Sequence, residues 1–199
     1  MEAAEKLFGE RGFEGSSVRD IAEEANINIA MISYYFGSKE KLLEALFTYR
    51  GENTIRKLES MLTNPEQQPL EKVNQLIDYF IDKFYDQQCF HKIMMREQVA
   101  NQHTAITKLI THFKKNNQQL VKELIYEGQK KGVFRKNIDI PIMMATLTGT
   151  LSNMVTTQHY YREINNLQSM PEIQFKKLVK KKLSAHLKII CKAILTHEI

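Results

Sequence analysis

The chain has 199 residues, and its 26% charged and 43% hydrophobic content is that of an ordinary folded protein, not of a disordered or membrane-embedded one. No apolar run approaches the roughly 20 residues of a membrane span, and Met1-Glu2-Ala3-Ala4 opens an amphipathic helix in place of a signal sequence, so a cytoplasmic location is expected. The two cysteines, Cys89 and Cys191, have no CxxC partner, which excludes a disulfide framework and leaves buried free thiols.

In chain order, Ala3, Ala4, Leu7 and Phe8 give the first helix an apolar stripe that stops at Gly12, with Phe13 packing after it. Ser17 and Asp20 stand at capping-box spacing, so a second helix starts there. Ile21, Ala22 and Ala25 form its apolar edge, and the small Ala22 lets a following helix cross close by. Asn26 ends it, because asparagine is the usual substitute for glycine where a tight turn needs a left-handed residue. Ile27, Ile32 and Phe36 are then expected to face inward on a third helix, leaving Asn28, Ile29, Ala30, Met31, Ser33, Tyr34 and Tyr35 outside. The small residue, turn residue and aliphatic at Ala22, Asn26 and Ile32 are those of a helix-turn-helix.

The flanking segments GERGFEGSSVRDIAEEA and SYYFGSKEKLLEALF closely resemble those around the recognition helix of TetR-family transcriptional repressors, over about the first quarter of the chain. That resemblance implies an all-α homodimer, with a helix-turn-helix DNA-binding domain at residues 1–47 and a larger helical ligand-binding and dimerisation domain at residues 48–199. By position it implies groove-facing roles for Arg19, Asn28, Ile29, Ala30, Met31, Ser33 and Tyr34, and phosphate contacts from Ser17, Val18, Tyr35 and Lys39. The chemistry suits Arg19 on guanine, Lys39 and the Tyr35 hydroxyl on phosphate, and Ala30 or Met31 on a thymine methyl. Val18 offers only its backbone N–H. Ile29 departs from the family's usual basic or polar residue. TetR-like chains usually carry a basic arm ahead of the first helix, and such an arm would add phosphate or minor-groove contacts.

The net charge of +5 invites a nucleic-acid partner, but it is carried late in the chain. Acids outnumber bases as far as Arg50, while Lys176, Lys177, Lys180, Lys181, Lys182, Lys188 and Lys192 crowd the last helix, where a solvated face is expected. Few phosphates are therefore neutralised per subunit, and a shallow salt dependence is expected.

Ser38 with Lys41 and Leu42 opens a long connecting helix through Leu62, and Pro65 and Pro69 mark the loop after it. Val73, Leu76, Ile77, Phe80 and Phe84 make the next stripe, then Phe90, Ile93 and Met94, and then a longer helix from Ile106 to Ile125 that ends near Gly128 or Gly132. Asp139 caps a helix with Pro141 in its first turn. Met143, Met144, Leu147, Leu151, Met154 and Val155 on that helix, and Phe175, Leu178, Val179, Leu183, Leu187, Ile190 and Ile194 on the last, are two long apolar faces assigned to a four-helix interface with a second subunit. Two-fold symmetry then sets the recognition helices about one DNA turn apart on a palindromic operator.

The aromatic and methionine-rich middle is read as a small-molecule pocket lined by Phe80, Phe84, Met94, Met95, Phe113, Leu147 and Leu151, with His91, Gln98 and Gln158 as polar anchors. No excess of acids points to a cationic effector, so an apolar or neutral amphipathic one is expected. His91, His103, His112, His159, His186 and His197 are scattered, without HExxH or Cys/His metal spacing, and no GxSxG, P-loop or GxGxxG occurs. No enzyme, cofactor or metal site is read from this sequence. The reading is a repressor released from its operator by a largely apolar ligand. An activator or partner-regulated factor of the same fold, or a helical carrier with a structural helix-turn-helix, are the alternatives.

Overall fold

The computed structural model describes residues 1–100 and 104–196. His103 and His197 lie outside them. The described residues form ten α-helices and no strand: α1 (Glu2–Arg11), α2 (Val18–Glu24), α3 (Ile29–Phe36), α4 (Lys39–Leu62), α5 (Pro69–Asp86), α6 (Gln88–Ala100), α7 (Ala105–Lys130), α8 (Ile140–Thr156), α9 (Gln158–Ile164) and α10 (Glu172–Leu195). Local chemistry fixes many of the boundaries. Gly12 takes φ +82° after α1. Ser17 and Asp20 make both bonds of the capping box at α2, and Asp139 accepts from the Ile142 N–H at α8. Periodicity gave no sign of the short α9.

Packing divides the chain into two units, one of residues 1–57 with 87–116 and one of residues 58–86 with 117–196 of the described chain. This differs from a cut at residue 47, because α6 is packed against α1 with little space between them. Gly9 permits that approach: a β-carbon there would lie 2.7 Å from Cys89 Cβ and 2.8 Å from Cys89 Cα. Arg96 reinforces it by donating to the carbonyls of Phe8 and Gly9 at 3.0 and 3.1 Å. The core of this unit is built from Leu7, Phe8, Ile21, Ile32, Leu42, Leu46, Phe47, Phe90 and Ile93, and Arg50 donates to the buried Glu5 at 2.7 Å across α4 and α1.

In the second unit α10 packs along α5, with α8 against both. Lys180 pairs with Asp82 and Asp86 at 3.0 and 2.9 Å, and Lys188 pairs with Asp78 at 2.6 Å. The lysine run on α10 is therefore not only a solvated face; part of it staples α10 to α5. Met143, Leu151, Val155, Phe175, Val179, Leu183 and Leu187 are all buried in this unit's own core. The expectation that these faces are left for a second subunit is corrected: α5 and α7 supply the cover. Buried Lys72 donates to Glu127 at 2.9 Å, and Lys131 and Lys72 together hold the Glu127 carboxyl below the usual range. None of the described helices is long and apolar enough to cross a membrane.

Candidate nucleic-acid interface and ligand cavity

The helix-turn-helix is built by three local devices. The capping box starts α2; the Ser17 hydroxyl donates to the Asp20 carboxylate at 2.6 Å and the Ser17 N–H at 2.8 Å, and these bonds hold the Asp20 carboxyl below its usual range. Asn26 then reverses the chain at φ +51°. Asn28 caps α3, its side-chain oxygen accepting from the Ala30 N–H at 2.8 Å. Ile32 anchors α3 in the core with Phe36 half-buried beside it, but Ile27 is 46% exposed instead of inward. It stands in the turn, on neither helix, so no helical face carries it to the core.

The sequence-assigned DNA residues are brought to one region. Ser17, Arg19, Asn28, Ile29, Ala30, Met31, Ser33, Tyr34 and Tyr35 are exposed, and Val18 is half-buried against the core. Tyr34 and Tyr35 project furthest, 81% and 66% exposed, and meet edge to face at 5.1 Å between ring centres. Lys39 differs. Its ammonium donates to the carbonyls of Phe13 and Ser16 at 3.0 and 3.1 Å and lies 4.1 Å from the centre of the Phe13 ring. Its geometry is that of a strut beneath the turn after α1, a use that position in the sequence does not disclose.

A cavity of about 610 Å³, counted out to the solvent, lies within the second unit. Its wall is Val73, Leu76, Ile77 and Phe80 of α5, Val121, Leu124 and Ile125 of α7, Met143, Met144, Leu147, Thr148 and Leu151 of α8, and Leu187 and Cys191 of α10. It is bounded by no charged side chain, and the hydroxyl of Thr148 is turned to the Met144 carbonyl at 2.9 Å. Burial pushes the Cys191 thiol up to about 11. Of the sequence-assigned pocket residues, Phe80, Leu147 and Leu151 line this wall. Phe84 is buried nearby in the same core, and Gln158 opens α9 with its amide oxygen buried and unpaired.

His91, Met94, Met95, Gln98 and Phe113 belong to the other unit and line no part of the cavity. His91 is buried in α6, where desolvation lowers its pKa. Gln98 donates to the Met94 carbonyl and accepts from Lys114, and Phe113 covers Gly51 of α4. The cavity residues that sequence reading missed come from all four helices: Val73, Leu76 and Ile77 of α5, Val121, Leu124 and Ile125 of α7, Met143, Met144 and Thr148 of α8, and Leu187 and Cys191 of α10. Spacing identified the apolar faces of these helices without identifying what they enclose.

A helix-turn-helix with its third helix exposed, carried by an all-helical chain that also holds an apolar cavity, defines a DNA-binding regulator of the helix-turn-helix class. Residues 1–46 match the bacterial regulatory proteins of the tetR family, and residues 69–178 match the tetracyclin repressor-like C-terminal domain. The chain is 32% identical over 154 residues to the HTH-type transcriptional repressor NicS of Pseudomonas putida, covering 74% of this chain and 71% of that protein. It is 27% identical over 175 residues to the probable HTH-type transcriptional regulator YttP of Bacillus subtilis, covering 87% and 75%. The FadR regulator of Bacillus subtilis, solved in complex with stearoyl-CoA, superposes with a TM-score of 0.68 at 20% identity, covering 94% of each chain. The chain belongs to the TetR family. It is a DNA-binding transcriptional regulator, and not an enzyme.

Proposed function

We propose that this regulator is a cytoplasmic homodimeric repressor, released from a palindromic operator when an uncharged hydrocarbon group enters the cavity between α5, α7, α8 and α10. The observation that carries the ligand class is the cavity wall, which has no charge and no free polar side chain to solvate a buried ion. The helix α8, which supplies five of the wall residues, carries no Asp, Glu, Lys or Arg. No wall residue is cationic, so the phosphates of an acyl-CoA, the ligand of the FadR complex, find no partner among them. The DNA contacts are assigned to Ser17, Val18, Arg19, Asn28, Ile29, Ala30, Met31, Ser33, Tyr34 and Tyr35, with Lys39 supporting the turn beneath them.

Dimerisation is assigned to the faces of α8 and α10 that the monomer leaves open: Ile142, Ala145, Gly149 and Asn153 on one, and Ala185, Ile189 and Ala193 on the other. Both stripes are uncharged and repeat at helical spacing, as a helix-helix seam requires. The long α4, which supplies residues to both units, is the lever between ligand and recognition helices. Ligand and operator then oppose each other by one coupling free energy, typically about 1 to 3 kcal/mol. The test is a series of n-alkyl alcohols titrated into the protein with and without bound operator. The operator should weaken alcohol binding by the factor by which the alcohol weakens operator binding; equal alcohol affinity in both states contradicts the mechanism.

A further inference from the structure

We propose that this regulator reads its operator chiefly through thymine methyl groups, with Ile29 and Met31 as the specificity-determining residues. The inference rests on the chain's family membership as a DNA-binding regulator and adds what its recognition helix can recognise. Helix-turn-helix proteins meet base edges with the first turn of the recognition helix. Here that turn is Ile29, Ala30 and Met31, all exposed, with Ile29 at 45% and Met31 at 41%. No residue between Glu24 and Lys39 carries a charge, so α3 brings no guanidinium, ammonium or carboxylate to the groove. The cap residue Asn28 uses its side-chain oxygen on the Ala30 N–H, which leaves its NH2 for a single contact and engages the oxygen that the paired contact of asparagine with adenine requires.

A surface helix normally covers its solvent face with charged groups, and an apolar first turn on an otherwise polar domain marks a contact surface. The occupant is the floor of the major groove, where the C5 methyl of thymine is the one apolar feature. Electrostatics point the same way. Lys6 is paired to Glu24 at 2.6 Å, Lys41 to Glu44 at 2.7 Å, and Lys39 to backbone carbonyls. With these cations engaged, Arg19 of α2 is the one cationic side chain the helix-turn-helix itself brings to DNA, so phosphate attraction is limited and shape-complementary base contacts must supply more of the discrimination.

The experiment selects tightly bound duplexes from a random pool with the full chain, then replaces each thymine of the selected site in turn by uracil. That change swaps the methyl for hydrogen and keeps the pairing. Binding should weaken about fourfold for each methyl buried against an apolar side chain, at one or more positions in each half-site. Ile29→Ala and Met31→Ala are exposed-position changes that leave the fold intact, and each should abolish the uracil sensitivity at its own position. Uracil tolerated at every thymine of a tightly bound site overturns the proposal while leaving the DNA-binding assignment standing, as does sensitivity unchanged in both variants. Selection that enriches no duplex over scrambled DNA removes both.

Discussion

Replacing Gly9 by alanine reverses the sign that helix propensity predicts. Glycine in a helix interior is worse than alanine by about 1 kcal/mol, so Gly9→Ala on α1 would stabilise an isolated helix. In the folded chain the new β-carbon falls 2.7 Å from Cys89 Cβ, 2.8 Å from Cys89 Cα and 3.0 Å from the Cys89 carbonyl oxygen. Carbon atoms prefer roughly 3.5 to 4.0 Å, and two of the three neighbours are backbone, so α1 and α6 must separate by roughly 0.7 Å. Overpacking of this kind costs about 1 to 3 kcal/mol. The separation also stretches the Arg96 bonds to the Phe8 and Gly9 carbonyls, now 3.0 and 3.1 Å, and hydrogen bonds to a charged group contribute about 1.5 to 3 kcal/mol each when fully made. A net loss of about 2 kcal/mol results, which for a chain of this size lowers Tm by roughly 4 to 8 °C. Thermal unfolding followed by far-ultraviolet circular dichroism measures it. A Tm equal to or above that of the parent refutes the close approach of α1 to α6.

Leu147→Trp at the half-buried rim fills the cavity and should weaken n-alkyl alcohol binding at least tenfold with operator affinity unchanged; unaltered uptake in a titration removes the cavity as the ligand site. Gly149→Arg places a bulky cation on the open face of α8, where a β-carbon meets nothing within 4 Å in the single chain, so the subunit should fold and the dimer dissociate in light scattering. An unchanged dimer refutes that seam. Glu127 is held below the usual carboxylate range by Lys131 and Lys72, so its contribution is complete above the ordinary pKa and disappears as pH falls through the depressed value. The parent should therefore lose more Tm than Glu127→Gln between about pH 5 and about pH 3, and parallel losses contradict the pairing. Cys191, raised to about 11, should react with maleimide at neutral pH far more slowly than in denaturant, and more slowly still with the cavity occupied.

What was legible from the sequence was mostly local. Ser17 with Asp20, Asn26, Asp139 with Pro141 and the glycine after α1 each fix the chain through bonds or torsions spanning a few residues, and these features were read with no knowledge of the tertiary fold. The apolar faces of α8 and α10 were equally legible as faces. Their partners were not, because periodicity shows that Leu151 and Leu187 are covered without showing by what, and α5 and α7 of the same chain cover them. His91 and Met94 carry the composition of a pocket but lie in the unit that holds α1, through the close α1 and α6 contact that Gly9 permits, and Phe113 of α7 lies in the same unit against Gly51 of α4. Lys39 shows the same limit at one residue. Its charge suggested phosphate, and no spacing shows that it also holds the carbonyls of Phe13 and Ser16, more than twenty positions away.

The central claim is sequence-specific DNA binding by a helix-turn-helix whose recognition helix is uncharged. Fluorescence anisotropy of the full chain with labelled DNA from upstream of its own gene, titrated against scrambled competitor at low and physiological salt, tests it most directly. Saturable binding that survives the competitor and weakens only modestly with salt is expected, since residues 17–36 carry one cation, Arg19, and the nearby Lys6, Lys41 and Lys39 are already engaged. Binding no tighter than to scrambled DNA, or affinity that collapses as salt rises, contradicts it.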